Sequence, residues 1–439
     1  MSGFSGAASG PRKAAGTATV TAWSLYELGA TALAMNLLTF YFPLDIASRV
    51  TRGSEKFSVA FGLSMAVVAV SAPFLGRLAD LRGKRPFLVP FVLTGVAMTA
   101  LLAVPGPIVR VLLCFAIANI AFQCAYVFYN ALLPDVTDEK TQGKVSGFAV
   151  AAGYLGSLLG MSLALPFVSL ERRAAMPAFV QSLCEALSVS KLVGPEFVRV
   201  NAYIPTALFW LLAAAPLLFF AKLPKVTRPA VPGSSALGDI WKTLRSLPET
   251  PSILWFLASN FLYIDVIHTI QIQMATYTRF AVGFDDRAVF KFMIICTAVA
   301  ILGGLFYGYL CQRVTIRTAT LVALGNWIVV FILALVIRDK TAFYLVGFLA
   351  GIGLGGIKVT SRLGLVALVP KERMTEFFGF FTLAGEAASV LGPLLWAMTL
   401  SFFPDRSPSG YRAGLVVLFV VLLLAVAAFT KVKFDDAEA

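Results

Sequence analysis

Twelve apolar runs, each long enough to cross a bilayer as a helix, divide this chain from residue 20 to residue 430. They lie near 20–44, 57–75, 86–104, 107–133, 144–169, 199–221, 252–277, 288–310, 318–337, 341–366, 374–400 and 411–430. In lipid the backbone must satisfy its own hydrogen bonds, so such runs fold as helices or as a closed barrel. Runs of this length are helices. The chain is 59% hydrophobic and only 13% charged, and its mean hydropathy is +0.84. A soluble domain could not hide that much apolar surface.

The net charge of +13 would suggest nucleic acid in a soluble protein. Here the basic residues sit in short loops between apolar runs, which points to topology and anionic lipid instead. An even number of spans puts both termini on one side. That side, with its adjoining span ends, carries 20 Lys and Arg against 15 on the other. The excess predicts cytoplasmic termini and an integral protein of a bacterial inner membrane.

Residues 76–85 read GRLADLRGKR, a compact basic loop between the second and third runs. Residues 308–317, GYLCQRVTIR, are a degenerate copy 232 positions later. Gly147 and Gly153 recur as Gly379 and Gly385 at the same offset. The chain is therefore read as an all-α membrane protein of twelve transmembrane helices in two pseudo-symmetric six-helix bundles. The expected bounds are a disordered tail (1–19), bundles over 20–221 and 252–430, a linker (222–251) and a C-terminal tail (431–439). Residues 236–247 and the loop 170–198 have helical potential. Glycine-rich stretches, such as Gly153, Gly156 and Gly160, predict closely packed helices. Two halves related by duplication describe many secondary transporters, with the solute site at midplane between the halves.

Ionisable residues inside spans are costly and are functional candidates by default. Asp265 lies near mid-depth in the seventh run, with His268 and Gln271 following at one-turn intervals on one stripe. A carboxylate beside an imidazole could bind a proton or cation; the plainer alternative is a satisfied network between helices. Glu27 sits two turns inside the first run, where capping or snorkelling competes with function. Lys358 follows the glycines of the tenth run and could hold a substrate carboxylate or phosphate, or pair with Glu386 of the eleventh. Asn130 and Gln271 could hydrogen-bond a solute, whereas Asn36 is read as glue between helices. Most aromatic residues are expected to face lipid or the interface. Five cysteines without a CxxC pattern predict neither a disulfide framework nor a metal site. With a single histidine and no Walker loop, neither enzymatic nor ATP-driven chemistry is expected, and no cofactor.

The 76–85 loop resembles the signature between the second and third helices of the major facilitator superfamily, at Gly76, Asp80, Arg82, Gly83, Lys84 and Arg85. Asp80 is expected to act in a gate at the cytoplasmic face. Ala22-Trp-Ser-Leu-Tyr26-Glu27, Phe128-Tyr-Asn-Ala-Leu-Leu-Pro134, Asn260-Phe-Leu-Tyr-Ile-Asp265, Ser361-Arg362 and Leu391-Gly-Pro393 resemble the vacuolar amino-acid effluxer (autophagy-related permease) branch. That branch usually has Asp at Glu27, Gln at His268 and at Lys358, and Lys at Glu386. The resemblance implies efflux of an amino acid or other metabolite by alternating access. The expected partners are a small solute, the bilayer and a coupling proton or cation, in a monomer that binds no nucleic acid. The rival reading is a non-transporting assembly or scaffold protein on the same fold.

Overall fold

The computed structural model describes residues 17–136, 142–189, 195–221, 251–369, 381, 385 and 387–434, and every regular element among them is helical. The first half contributes α1 (Thr17–Ala34), α2 (Tyr41–Arg49), α3 (Gly53–Arg82), α4 (Arg85–Leu101), α5 (Ile108–Ala131), α6 (Gln142–Val168) and α7 (Tyr203–Ala215). The second contributes α8 (Pro251–Tyr277), α9 (Asp286–Leu310), α10 (Ile316–Val336), α11 (Phe343–Leu368), α12 (Leu391–Ser401) and α13 (Pro408–Thr430).

Among the described residues ten helices are long and apolar enough to cross a membrane. They stand at ten of the twelve expected positions. The third and eleventh positions hold the shorter α4, of 17 residues, and α12, of 11. The eleventh run was expected as one span over 374–400, but the chain turns at Ser389 and Val390 before α12 begins. The first run is likewise not one smooth helix. It passes through a π-turn, Met35–Thr39, and resumes as α2. The tail expected to be disordered through 19 gives way to helix at Thr17, because Thr19 and Ala22 already bury themselves in the bundle. Helical turns also form in the 170–198 loop, at Leu170–Ala174 and Ala178–Leu187. The expected helix at 236–247 lies outside the described residues.

The duplication is visible in the packing. In the first bundle α3 and α4 pack on α5, α1 packs on α6 and α7, and α4 meets α7. In the second, α9 and α10 pack on α11, α8 packs on α12 and α13, and α10 meets α13. Close approach depends on the glycines. A Cβ on Gly156 would stand 2.0 Å from the carbonyl oxygen of Leu28, and one on Gly160 would stand 2.5 Å from Ala32. Lipid tails are as apolar as leucine, so contact of this kind, rather than water exclusion, holds the helices together. Asn36 adds a polar clasp, donating to the Gly160 carbonyl at 3.0 Å and to Thr206 Oγ1 at 2.8 Å.

The two bundles meet along a seam where α3 faces α12, α6 faces α9 and α2 faces α8. The face at which α1 begins and α13 ends is the terminal face, and the opposite one the far face.

Candidate functional site

At the terminal face, hydrogen bonds from Lys84 and Arg85, at the described end of the basic loop, run to helix ends of its own bundle. Gly83 has a φ of 86°, a left-handed conformation that favours glycine. That turn aims two cations at exposed helix ends. Lys84 Nζ donates to the Ala131 carbonyl at 2.6 Å, at the end of α5. Arg85 Nε donates to Leu218 O at 2.6 Å, and Nη1 to Ala221 O at 3.4 Å, at the end of the span built on α7. Cations at helix C-termini satisfy orphan carbonyls and complement the dipole. The degenerate copy repeats the arrangement more loosely: Arg317 donates to Thr430 O at 3.5 Å, at the end of α13. The side chains of Gly76, Asp80 and Arg82 lie outside the described residues, as does the expected gate contact of Asp80.

Glu27 is buried on α1. Tyr126 Oη donates to its Oε1 at 2.9 Å, Tyr129 lies close enough to act on it, and Oε2 has no geometric hydrogen-bond partner among the described residues. A stack of rings backs it: Trp23 on Tyr129 at 4.6 Å between centroids, Tyr26 on Tyr129 at 4.5 Å, and Tyr126 on Tyr129 at 5.5 Å. These aromatics face inward, apart from the lipid-facing or interfacial majority expected of the chain's aromatic residues. Trp23 and Tyr129 are drawn in because Trp23 Nε1 can donate to the Tyr129 carbonyl at 3.1 Å.

Lys358 is exposed in the middle of α11, although its neighbours Ile357, Thr360 and Ser361 are buried. Its ammonium lies 5.6 Å from the centre of the Tyr154 ring on α6, across the seam. It is near enough to Glu27 and His268 to act on both electrostatically. Among the described residues no carboxylate reaches ion-pair distance of it. Glu386, the expected partner, lies outside the described residues. A cation held over an aromatic face, with no ion-pair partner among the described residues, is suited to an anionic ligand.

Asp265 and His268 meet the break before α12. Asp265 is fully buried; its Oδ1 accepts from the Gly392 backbone N–H at 2.7 Å, and Oδ2 has no partner among the described residues. His268, one turn on, shares a 2.7 Å hydrogen bond between Nδ1 and Ser389 Oγ. Thr269 Oγ1 lies so near Gly392 that a Cβ there would approach it to 2.1 Å. The seventh span thus grips the first turn of α12, where N–H groups lack intrahelical acceptors and a carboxylate is favoured. Gln271 is half-buried on the same helix, and Asn130 is exposed in the last turn of α5.

The sequence alone brought together Asp265 and His268. It missed Tyr126, Tyr154 and Ser389, their partners from other helices. It also missed Gln273, whose Nε2 donates to Ser58 Oγ across the seam at 2.7 Å. Amphipathic register on α8 could have flagged Gln273, which lies two turns beyond Val266 on the inner face.

Hydrogen bonds and ion pairs between described residues of the two bundles are confined to the far side of the seam. They include Gln273 to Ser58, Ser54 with Tyr411, and the ion pair of Arg199 with Asp286. A cavity of about 440 Å³ opens between the bundles at that face, walled by Tyr41, Arg172, Arg199, Arg287 and Phe290. None of the candidate site residues lines it.

Comparisons with known proteins agree with this architecture. The profile of the family described as vacuole effluxer Atg22 like matches residues 56–439. An uncharacterized MFS-type transporter of Bacillus subtilis, YxiO, is 29% identical over 422 residues, spanning 92% of this chain and 93% of that one. Autophagy-related protein 22 of Kluyveromyces lactis is 22% identical over 200 residues, 43% of this chain and 40% of that one. Among solved structures, the nucleoside transporter NupG superposes with a TM-score of 0.72 at 14% identity, over 94% of this chain and 99% of that one. That score belongs to its D323A mutant; the unmutated protein gives 0.67. A bacterial homolog of the lysosomal transporter Spinster, in an inward-facing unoccupied conformation, gives 0.68 at 14% identity over 94% and 95%.

Proposed function

Because this chain belongs to the Atg22-like vacuole effluxer family, a group of MFS-type membrane transporters, we propose that it carries a small solute bearing an anionic group. The observation that carries this reading is Lys358, an exposed mid-span cation without a described carboxylate partner, poised over Tyr154 at the seam. Its ammonium binds the anionic group. Glu27, with one oxygen fixed by Tyr126 and the other without a hydrogen-bond partner among the described residues, accepts a donor or cationic group of the same solute. A zwitterion such as an amino acid offers both charges at short separation. The halves rock about this site, so that it opens to one face at a time. Protons drive the cycle through Asp265 and His268, which hold α12 and can each gain or lose a proton. The protein works in a bacterial cytoplasmic membrane with both termini inside.

The reading is supported by the position of three ionisable groups from three helices, with Glu27 and His268 both within electrostatic reach of Lys358. A thermal-shift screen of the purified protein against amino acids, nucleosides, sugars and organic anions tests it. Stabilisation by zwitterions or anions is expected, and it should vanish in Lys358→Met. Stabilisation by neutral sugars alone, undiminished in that variant, refutes the assignment of Lys358. A proteoliposome assay with and without a pH gradient then tests coupling: uphill accumulation is expected only with the gradient.

A further inference from the structure

Two residues other than glycine have a left-handed backbone among the described residues, and both are arginines at the far end of the seam. Arg52 has a φ of 54° and Arg406 a φ of 56°. They belong to opposite bundles, in the α2–α3 turn and the α12–α13 turn. Side chains rarely occupy this conformation, and outliers of this kind concentrate at working positions.

Each guanidinium crosses the seam to a helix end of the other bundle. Arg52 Nη2 donates to Ser401 O at 2.6 Å and to Phe403 O at 3.5 Å, at the end of α12. Arg406 Nε donates to Ala47 O at 3.0 Å, and its Nη2 to Val50 O at 3.5 Å, at the end of α2. These carbonyls close helices whose last turns leave acceptors unsatisfied, so a cation there gains both hydrogen bond and dipole. Each arginine is also steadied by a carboxylate of its own bundle, Glu55 at 3.3 Å and Asp405 at 3.7 Å. The contacts are reciprocal: each bundle supplies one cation and one helix end.

We propose that Arg52 and Arg406 are two further working residues of transport, a reciprocal latch that holds the far face closed while the terminal side is open. Release of both guanidiniums to water, together with parting of the Ser54–Tyr411, Gln273–Ser58 and Arg199–Asp286 contacts, lets the bundles separate at that face. The proposal rests on the alternating-access reading above, and the left-handed turns are what point each side chain across the seam.

The test reads the far-face distance directly. Spin labels on Glu185→Cys and Lys340→Cys, exposed on opposite bundles, are introduced with Cys311→Ser to remove the one native cysteine that is not buried. Double electron–electron resonance in phospholipid nanodiscs, in acid and in alkaline buffer, gives the ratio of far-closed to far-open populations. Arg52→Gln with Arg406→Gln should raise the far-open share roughly fivefold, and each single change should raise it less, since part-exposed charged hydrogen bonds are screened. Arg52→Gly and Arg406→Gly separate latch from turn. Glycine relieves the backbone but removes the guanidinium, so a latch predicts opening and a mere turn predicts the wild-type ratio. Two wild-type populations whose ratio none of these variants moves would overturn the latch alone. A single distance in wild type and in every variant would overturn the latch together with alternating access.

Discussion

Replacing Asp265 by asparagine separates the two things this carboxyl group can do. As a pin, it holds the first turn of α12 through the 2.7 Å bond from Gly392 N–H. Asparagine keeps an oxygen in nearly the same place, so the bond survives as a neutral one. A hydrogen bond to a charged group contributes about 1.5–3 kcal/mol and a neutral one about 0.5–1.5, so the expected loss is about 1 kcal/mol. For a chain of this size that lowers the melting temperature by at most about 3 °C. Asp265→Ala removes the acceptor altogether and leaves a buried N–H unsatisfied, at a cost of about 1–3 kcal/mol before any cavity is counted. As a proton carrier, by contrast, asparagine is inert. Asp265→Asn in proteoliposomes should therefore retain solute counterflow and lose gradient-driven accumulation, while melting almost as wild type does. Uphill accumulation at the wild-type rate would refute the coupling role and leave Asp265 as a pin. A collapse of stability in Asp265→Asn comparable to that in Asp265→Ala would refute the magnitude argued from the Gly392 contact.

Gly392→Ala places a Cβ 2.1 Å from Thr269 Oγ1 and 2.9 Å from Asp265 Oδ2, so it should destabilise by about 1–3 kcal/mol, as overpacking does. Adding Thr269→Ala should recover part of that loss in thermal melts; additive losses would mean that α8 and α12 are not in this contact. Lys358→Met should melt within about 0.5 kcal/mol of wild type, because no described carboxylate is left behind, yet weaken solute binding about tenfold or more. A large loss of stability restored by Glu386→Gln would instead make Lys358 one half of a structural pair. Arg85→Ala should cost about 1.5–3 kcal/mol, since a half-buried guanidinium leaves a 2.6 Å bond, whereas Arg317→Ala, exposed and 3.5 Å from its carbonyl, should fall within about 0.5 kcal/mol; equal losses in chemical denaturation would contradict this reading of the two loops.

Much of the architecture was legible because the bilayer enforces it. The run lengths, the 232-residue repeat and the glycine spacing each express a local requirement, and Gly156 against Leu28 or Asn36 against Gly160 are what those requirements look like when met. The break before α12 was legible only in part. Pro393 lacks the N–H that would bond the Ser389 carbonyl four residues back, and its ring crowds that carbonyl; the hold of Asp265 on Gly392, more than a hundred residues away, was not legible. The same limit hid Tyr126 beside Glu27 and Tyr154 beneath Lys358: hydropathy places a residue at a depth in the membrane, but not at an azimuth around its helix. The shortness of α4 had a visible cause in Arg85-Pro86, which starts the helix abruptly after Gly83. The inward placement of the aromatic wall was not legible either: Trp23 finds a polar partner in the Tyr129 carbonyl, while Tyr26 and Tyr129 are held by ring stacking, their hydroxyls without a geometric hydrogen-bond partner among the described residues.

The contacts of α8 explain how a proton at one depth could alter a seal at another. Along this one helix, Tyr263 meets Ser361 of α11 at 2.9 Å, Asp265 and His268 grip the break before α12, and Gln273 crosses to Ser58 of α3. Asp265 and Gln273 are eight residues apart, about 12 Å at a rise of 1.5 Å per residue. A helix interior is too stiff to absorb a local shift over that length, so a tilt forced at Asp265 moves Gln273 as well. The break works in the same direction. Because α12 begins at Leu391, its short segment can pivot without dragging the preceding residues, and it ends at Ser401, the carbonyl that Arg52 holds. Along α3, Gly62 has no room for a Cβ beside Leu394 of α12, so the two helices cannot slide past one another without repacking there. Loss of the Gly392 bond therefore loosens α12 at its first turn while both of its far attachments, Gly62 and Arg52, lie on the opposite bundle. Under the proposed coupling, a change of charge on this carboxyl group would pass through α12 to the relative placement of the two halves, and Lys358, on the neighbouring α11, lies at the seam that such motion would widen or close.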